Sequence, residues 1–346
     1  MNTATSQVPM IASHWPLQAF NTFGIAATAR AYLRVSSAAD LQAVRANPDL
    51  STVPRLVLGG GSNLILSGDF DGLVLHLVNQ GKMIVSDDDT HVVVRAQAGE
   101  NWHEFVQWTL AQNLPGLENL SLIPGSVGAA PIQNIGAYGS ELKDFFHSLT
   151  YFDFSNGETC VLDHDACRFG YRDSIFKHEL RDRAVILDVS FTLPKQWQPN
   201  LSYAELANEL SANGLVTTTA HDISEAVIRI RRRKLPDPSI IGNAGSFFKN
   251  PIITKEAHAI LLEKYPQLVS YVQPEGGVKL AAGWMIDQCG WKGKSLGAVG
   301  VHEKQALVLI NRGGASGADV LKLAQAIQDD VQQRFGVKLE IEPVLV

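Results

Sequence analysis

Hydrophobic positions recur at two periods along this chain, and the changes between them mark out its elements. A short apolar run at Arg55 to Leu58 leads into Gly59-Gly60-Gly61-Ser62-Asn63, and alternating stretches follow at Leu73 to Leu77 and Val92 to Gln97. These predict a strand-rich opening. From Asn101 to Asn113 the spacing lengthens, and Trp102, Phe105, Val106 and Leu110 fall on one face of a helix packed on those strands. The runs SLTYFDF and ETCVL then flank Ser155-Asn156-Gly157, where Asn-Gly predicts the positive φ angles of a tight hairpin. A further strand is expected at Ala184 to Leu193.

Gln196 to Gly214 is polar, carries Pro199 and Asn200, and reads as a mobile loop or boundary. After it, Asp222 with Glu225 three residues on resembles a helix start. Ile223, Val227 and Ile230 give that helix an apolar stripe, Arg231, Arg232 and Arg233 follow it, and Pro236 ends it. Helices are expected at Lys255 to Tyr265 and Ala281 to Cys289, with Gly290 as a C-cap. A strand at Ala306 to Asn311, a helix at Val320 to Phe335 between Ser316 and Gly336, and a strand at Val337 to Val346 would make a βαβ-like end. The class that results is α+β.

At 346 residues the chain exceeds one ordinary domain, so two or three packed units are expected. A net charge of -6 argues against a nucleic-acid partner. The first positively charged side chain is Arg30 and no apolar run approaches the roughly 18 residues of a membrane span, which makes the cytoplasm the expected location. Cys160, Cys167 and Cys289 lack the spacing of a disulfide framework or zinc site and read as reduced thiols. His103 beside Glu104 lacks further spaced ligands and reads as a solvated helix face; no metal is expected.

Chemistry enters with two glycine-rich loops, GGGSN at 59 to 63 and IPGSVGAAPIQNIGAYG at 123 to 139, because bare backbone can approach a pyrophosphate closely. Neither is a Walker loop or a Rossmann fingerprint, and a triple glycine alone is more often a tight turn. The segments NTFG (21 to 24), LGGGSNL (58 to 64), SLIPGSVGAAPIQNIGAYG (121 to 139) and FGYRDSIFK (169 to 177) say more together. With RRRKLPDP (231 to 238), NAGSFFKNP (243 to 251), KLAAGWMIDQCGWKG (279 to 293) and VHEKQALVLIN (301 to 311), the chain resembles the UDP-N-acetylenolpyruvoylglucosamine reductases, or MurB family, along nearly all its length.

The resemblance implies an FAD-binding fold of the vanillyl-alcohol-oxidase type. Two α+β subdomains, 1–80 with the strand at about 337–346 and 81–235, hold FAD, and a third domain, 236–336, covers the substrate. It implies that NADPH reduces bound FAD, which reduces the enolpyruvyl ether of UDP-N-acetylglucosamine to UDP-N-acetylmuramate, a peptidoglycan precursor. A monomer is expected. The cofactor contacts fall on Gly59, Gly60, Gly61, Ser62, Asn63, Pro124, Gly125, Ser126, Gly128, Gln133, Asn134, Gly136, Ala137 and Tyr138.

Reducing an enolpyruvyl group leaves negative charge beside its carboxylate, which must be stabilised and then protonated. Arg172 offers a permanently charged planar fork for the carboxylate, although a salt bridge to Asp173 is the ordinary alternative. Ser246 matches the family's proton donor; a hydroxyl suffices because the carbanion is an extremely strong base, whereas serine in a Gly-Ser turn is ordinarily a turn residue. The partner acid matches Glu342 in Leu339-Glu340-Ile341-Glu342-Pro343, but Glu340 lies two residues away on the same strand face and stays open. Tyr203 matches a loop tyrosine of the longer subtype that closes over the substrate diphosphate, and Lys234, Asn250 and Gln305 match contacts to the UDP-sugar or nicotinamide nucleotide. The alternatives are an FAD oxidase or dehydrogenase of the same fold with another substrate, or a nucleotide-sugar-binding protein without catalysis.

Overall fold

The computed structural model describes residues 10–212, 218–273 and 276–346. Helices mix with largely antiparallel sheets, giving the expected α+β class, and no described helix is long and apolar enough to cross a membrane. The chain divides into two compact units: Met1–Trp15, Ala29–Gly60 and Asp71–Arg233 form the first, and Pro16–Thr28, Gly61–Phe70 and Lys234–Val346 the second.

The first unit is built on a five-stranded antiparallel sheet ordered Glu158–Asp163, Phe146–Asp153, Ala184–Pro194, His91–Gln97, Lys82–Asp87. The strand Ala184–Pro194 serves two apolar cores. Val185 and Leu187 enter a cluster with Leu33, Leu41 and Leu73, while Ile186, Val189, Phe191 and Leu193 enter one with Phe105, Leu110 and Leu149. The parity of the second set changes at a register shift opposite Thr150 and Tyr151, where a bulge turns the strand over. The helix Trp102–Ala111 packs on this sheet through the predicted face, and the Asn101 side chain accepts Glu104 N–H at its start.

Three expectations for this unit are corrected. In the hairpin only Gly157 takes a positive φ, +82°, and Asn156 does not; the four-residue turn closes through Gly157 N–H donating to Asp153 O at 2.7 Å. The segment 196–214 contains the helix Ala204–Ala212, whose Leu206 and Leu210 pack against Ile223, Val227 and Ile230. The next helix, Ala220–Lys234, starts earlier than Asp222: Thr219 Oγ1 accepts Asp222 N–H, and the Asp222 carboxylate accepts Thr219 N–H at 2.8 Å.

The second unit carries a four-stranded antiparallel sheet ordered Asn243–Ser246, Val308–Asn311, Val299–Val301, Ser295–Leu296. It also carries a three-stranded sheet of Ile252–Ile253, Val278–Leu280 and Ser270–Val272. The helix Gly317–Phe335 has a Ser316/Asp319 capping box, buries Val320, Leu323, Ile327 and Val331, and ends at left-handed Gly336. The continuous strand expected at Val337 to Val346 shrinks to Val344–Leu345, parallel to Leu64–Ile65 in a separate sheet. No βαβ unit forms there, because Pro343 interrupts the run and Val308–Asn311 belongs to another sheet.

Candidate functional site

Strand Arg55–Leu58 delivers Gly59 and Gly60 against the second glycine loop. A Cβ on Gly60 would lie 3.0 Å from Gly125 Cα, and one on Gly59 would lie 2.2 Å from Ser126 Oγ. These glycines let two backbones touch, which brings main-chain N–H groups of both loops to one place. Gly128 is held the same way against Ala98, its N–H donating to Ala98 O at 2.9 Å. Ser126 Oγ is buried without a hydrogen-bond partner among the described residues, although the Ser126 backbone bridges to Asn101. A hydroxyl in that state costs free energy unless it meets a ligand, so the loop pair fits a phosphate-bearing cofactor.

The rest of the second loop bends unusually. Leu122 just before it, Asn134 and Tyr138 within it, and Arg172 in the 169 to 177 segment all hold left-handed φ between +44° and +59°, where non-glycine residues are sparse. Asn134 is fixed by donating from Nδ2 to Glu141 and to Gly170 O, while its Oδ1 accepts Lys143 N–H. Arg172 sits in a tight turn closed by reciprocal Gly170 and Asp173 hydrogen bonds, and its Nη2 donates to Gly136 O at 3.0 Å. Asp173 meets His178 Nε2 at 2.8 Å. Pro124, Gln133 and Ala137 lie along the same loop, with Gln133 ending the turn Val127–Gln133 and Ala137 pairing with Ser140.

Two side chains from outside this loop hold it at Leu122. His103 is half-buried rather than solvated: its Nδ1 accepts Leu122 N–H at 3.0 Å, and burial lowers its pKa, so the neutral ring is favoured. Arg231 Nε donates to Leu122 O at 3.1 Å and its guanidinium also meets Tyr138. Arg231 lies four residues after Val227, on the buried stripe, and that spacing was the available signal. Burial pushes the Tyr138 phenol up to about 12, and its ring meets Tyr203 edge-on at 5.2 Å. Glu118, ahead of this loop in the chain, is 2% exposed, and no periodicity could mark it.

In the second unit, Gly61 has φ +60°, and its missing Cβ makes room for Phe20 O. Thr22 ties three family segments together, donating from its N–H to Gly61 O and from Oγ1 to Asn243 O. Ser246 is exposed at the end of Asn243–Ser246, just before the buried pair Phe247 and Phe248. Glu342 N–H donates to Phe247 O at 2.9 Å, one residue from Ser246, and Asn63 reaches Glu342 O. Ser62 adjoins Asn63, whose carbonyl accepts Val344 N–H. Glu340 instead lies beside Lys249, its Oε2 3.1 Å from Nζ, and is 67% exposed. Asn250 Oδ1 accepts Ala282 N–H, Gln305 lies against Gly283, and Lys234 ends the helix Ala220–Lys234.

Comparison with known proteins places these features in a family. A model described as "FAD binding domain" matches residues 29–163, and one described as "UDP-N-acetylenolpyruvoylglucosamine reductase, C-terminal domain" matches 237–346. The chain is 57% identical over 339 residues to the UDP-N-acetylenolpyruvoylglucosamine reductase of Paraburkholderia phymatum, covering 97% of this chain and 98% of that one. It is 55% identical over 341 residues to the reductase of Burkholderia orbicola, covering 98% and 97%. The chain belongs to the UDP-N-acetylenolpyruvoylglucosamine reductase family. The crystal structure of that family's member from Thermus caldophilus superposes with a TM-score of 0.68 at 23% identity, over 97% of this chain and 98% of that one, which shows the shared FAD-binding α+β fold.

Proposed function

We infer that this protein is the FAD-containing, NADPH-dependent enzyme that reduces UDP-N-acetylenolpyruvoylglucosamine to UDP-N-acetylmuramate for peptidoglycan synthesis. The observation that carries this reading is 57% identity over 97% of the chain to a reductase of that name, with both matched domains in order. The paired glycine loops and the orphaned Ser126 hydroxyl supply an independent fit to the FAD pyrophosphate. Gly59, Gly60, Gly125 and Ser126 would hold the FAD pyrophosphate, and the bound flavin would supply the hydride, drawn from NADPH, for the terminal carbon of the enolpyruvyl group.

The residue roles follow from the charge that this reduction leaves on the substrate. Arg172, pinned by its turn and by Gly136 O, is the fork for the substrate carboxylate. Ser246 Oγ delivers the proton that quenches the carbanion. Glu342 is the partner acid, a choice supported by its backbone bond beside Phe247 and by the engagement of Glu340 with Lys249. Tyr203 closes on the substrate diphosphate, and Lys234, Asn250 and Gln305 contact the UDP-sugar or nicotinamide nucleotide. The subdomain division proposed is 1–80 with the strand at about 337–346, 81–235, and 236–336. The cytoplasm, where UDP-sugars and NADPH are held, is the compartment proposed.

The purified protein should be yellow and should oxidise NADPH only when the enolpyruvyl substrate is supplied; a protein that never binds flavin ends this reading. Ser246→Ala should leave flavin reduction by NADPH intact and slow reoxidation by substrate by about 10²-fold or more. Equal loss of both half-reactions would point instead to folding or cofactor binding.

A further inference from the structure

Glu118 is sealed in the first unit at 2% exposure, and both of its oxygens face N–H donors. Oε2 accepts Gly116 N–H at 2.6 Å and Oε1 accepts Trp197 Nε1–H at 2.7 Å. Burial pushes its carboxyl up, and the two N–H groups oppose that shift. Two accepting oxygens suit the ionised form better than an acid, whose hydroxyl oxygen is the weaker acceptor and whose O–H would need a further acceptor. Trp197 opens the segment that leads to Tyr203, and the neighbouring Asn119 completes the hold. Asn119 Nδ2 donates to Asn200 O at 2.9 Å and to Tyr138 O at 2.8 Å. Asn200 returns bonds to Gly139 O and Ser140 Oγ, and Ser202 Oγ lies 2.3 Å from where a Gly139 Cβ would stand. On the far side Tyr203 O accepts Leu206 and Ala207 N–H, starting the helix Ala204–Ala212.

We propose that Glu118 and Trp197 are positioning residues for substrate binding: their charged hydrogen bond fixes the near end of the Tyr203 segment, so that the tyrosine swings from an anchored base. The proposal rests on the reading of Tyr203 as a substrate contact. Neither residue is asked to touch substrate or cofactor. Their effect is confined to the half-reaction that uses the UDP-sugar.

The test compares Trp197→Phe, Glu118→Gln, the double variant and Tyr203→Ala as FAD-loaded enzymes. Steady-state KM for the UDP-substrate and anaerobic flavin reduction by NADPH are measured for each. Losing one hydrogen bond to a charged group should raise KM about tenfold in Trp197→Phe while flavin reduction stays at the wild-type rate. Glu118→Gln should do worse, because its amide turns N–H groups toward one of two N–H donors. The double variant should recover to the Trp197→Phe value, since the phenyl ring removes that opposing donor. A purely structural defect would instead slow both half-reactions or grow in the double variant, and either result overturns the proposal. Unchanged KM in Trp197→Phe beside a raised KM in Tyr203→Ala also overturns it, leaving the tyrosine reading intact. Unchanged KM in Tyr203→Ala sinks the tyrosine reading and the anchor with it.

Discussion

Ser126→Ala should move stability and cofactor affinity in opposite directions. In the protein without FAD, Ser126 Oγ is buried and without a hydrogen-bond partner among the described residues, and the residue is 6% exposed. An unsatisfied buried polar group costs about 1–3 kcal/mol, so deleting the hydroxyl should stabilise flavin-free protein by about 1 kcal/mol, the low end, because the small void left offsets part of the gain. For a unit of this size that is about 2 °C in Tm. The same deletion removes a donor to a phosphate oxygen, a charged bond worth about 1.5–3 kcal/mol, which is roughly ten- to a hundredfold in Kd for FAD. Calorimetry of the flavin-free protein and titration of FAD by fluorescence quenching read the two effects separately. Gly59→Ala supplies a check, since its Cβ would stand 2.2 Å from that hydroxyl: its defect should shrink when combined with Ser126→Ala. A Ser126→Ala protein that melts lower without flavin, or binds FAD with unchanged Kd, refutes the assignment of this hydroxyl to the cofactor.

The other expectations are more local. Glu342→Gln should lower turnover about a hundredfold, whereas Glu340→Gln, which gives up an exposed pair with Lys249, should cost less than about 1 kcal/mol of stability and spare turnover; the reverse ranking in steady-state assays would exchange the two glutamates. Asp153, hydrogen-bonded by Arg183, is held well below the usual carboxylate range. Its folded pKa is depressed, so its contribution is complete above the unfolded value of about 4 and fades as pH falls below it. Asp153→Asn should therefore reduce the urea midpoint at pH 7 more than at pH 3, and an equal loss at both pH values would exclude the ion pair as the cause. Cys167 is buried and its thiol is pushed up to about 12, so at pH 8 it should resist a thiol-specific disulfide reagent until the protein unfolds, which mass spectrometry of modified peptides can show.

Sequence periodicity could find elements whose burial is decided within the element. The helix Trp102–Ala111 is an example: its buried residues Trp102, Phe105, Val106 and Leu110 repeat at helical spacing. The helix Ala204–Ala212 was passed over because Pro199 and Asn200 dominated its neighbourhood, although Leu206 and Leu210 carry the same four-residue signal. Val337 to Val346 failed for the opposite reason: its apolar content promised a strand, but pairing depends on a neighbour that only the fold provides. The glycine loops were legible as a place where backbone must come close, yet what Gly59 and Gly60 admit first is the other loop, at Ser126 and Gly125, rather than a ligand. That distinction bears on the chemistry. A glycine facing only solvent and ligand could be exchanged for alanine at the expense of affinity alone, whereas these hold one loop against the other and set the geometry in which N–H groups and the Ser126 hydroxyl can act together. Glu118 was invisible for a related reason, and for Arg231 the helical spacing from Val227 marks the position but not the partners. A charged side chain is written the same way whether it faces water or, as here, Gly116 and Trp197 or Leu122 and Tyr138, and only the assembled partners make it a structural part of the loop it holds.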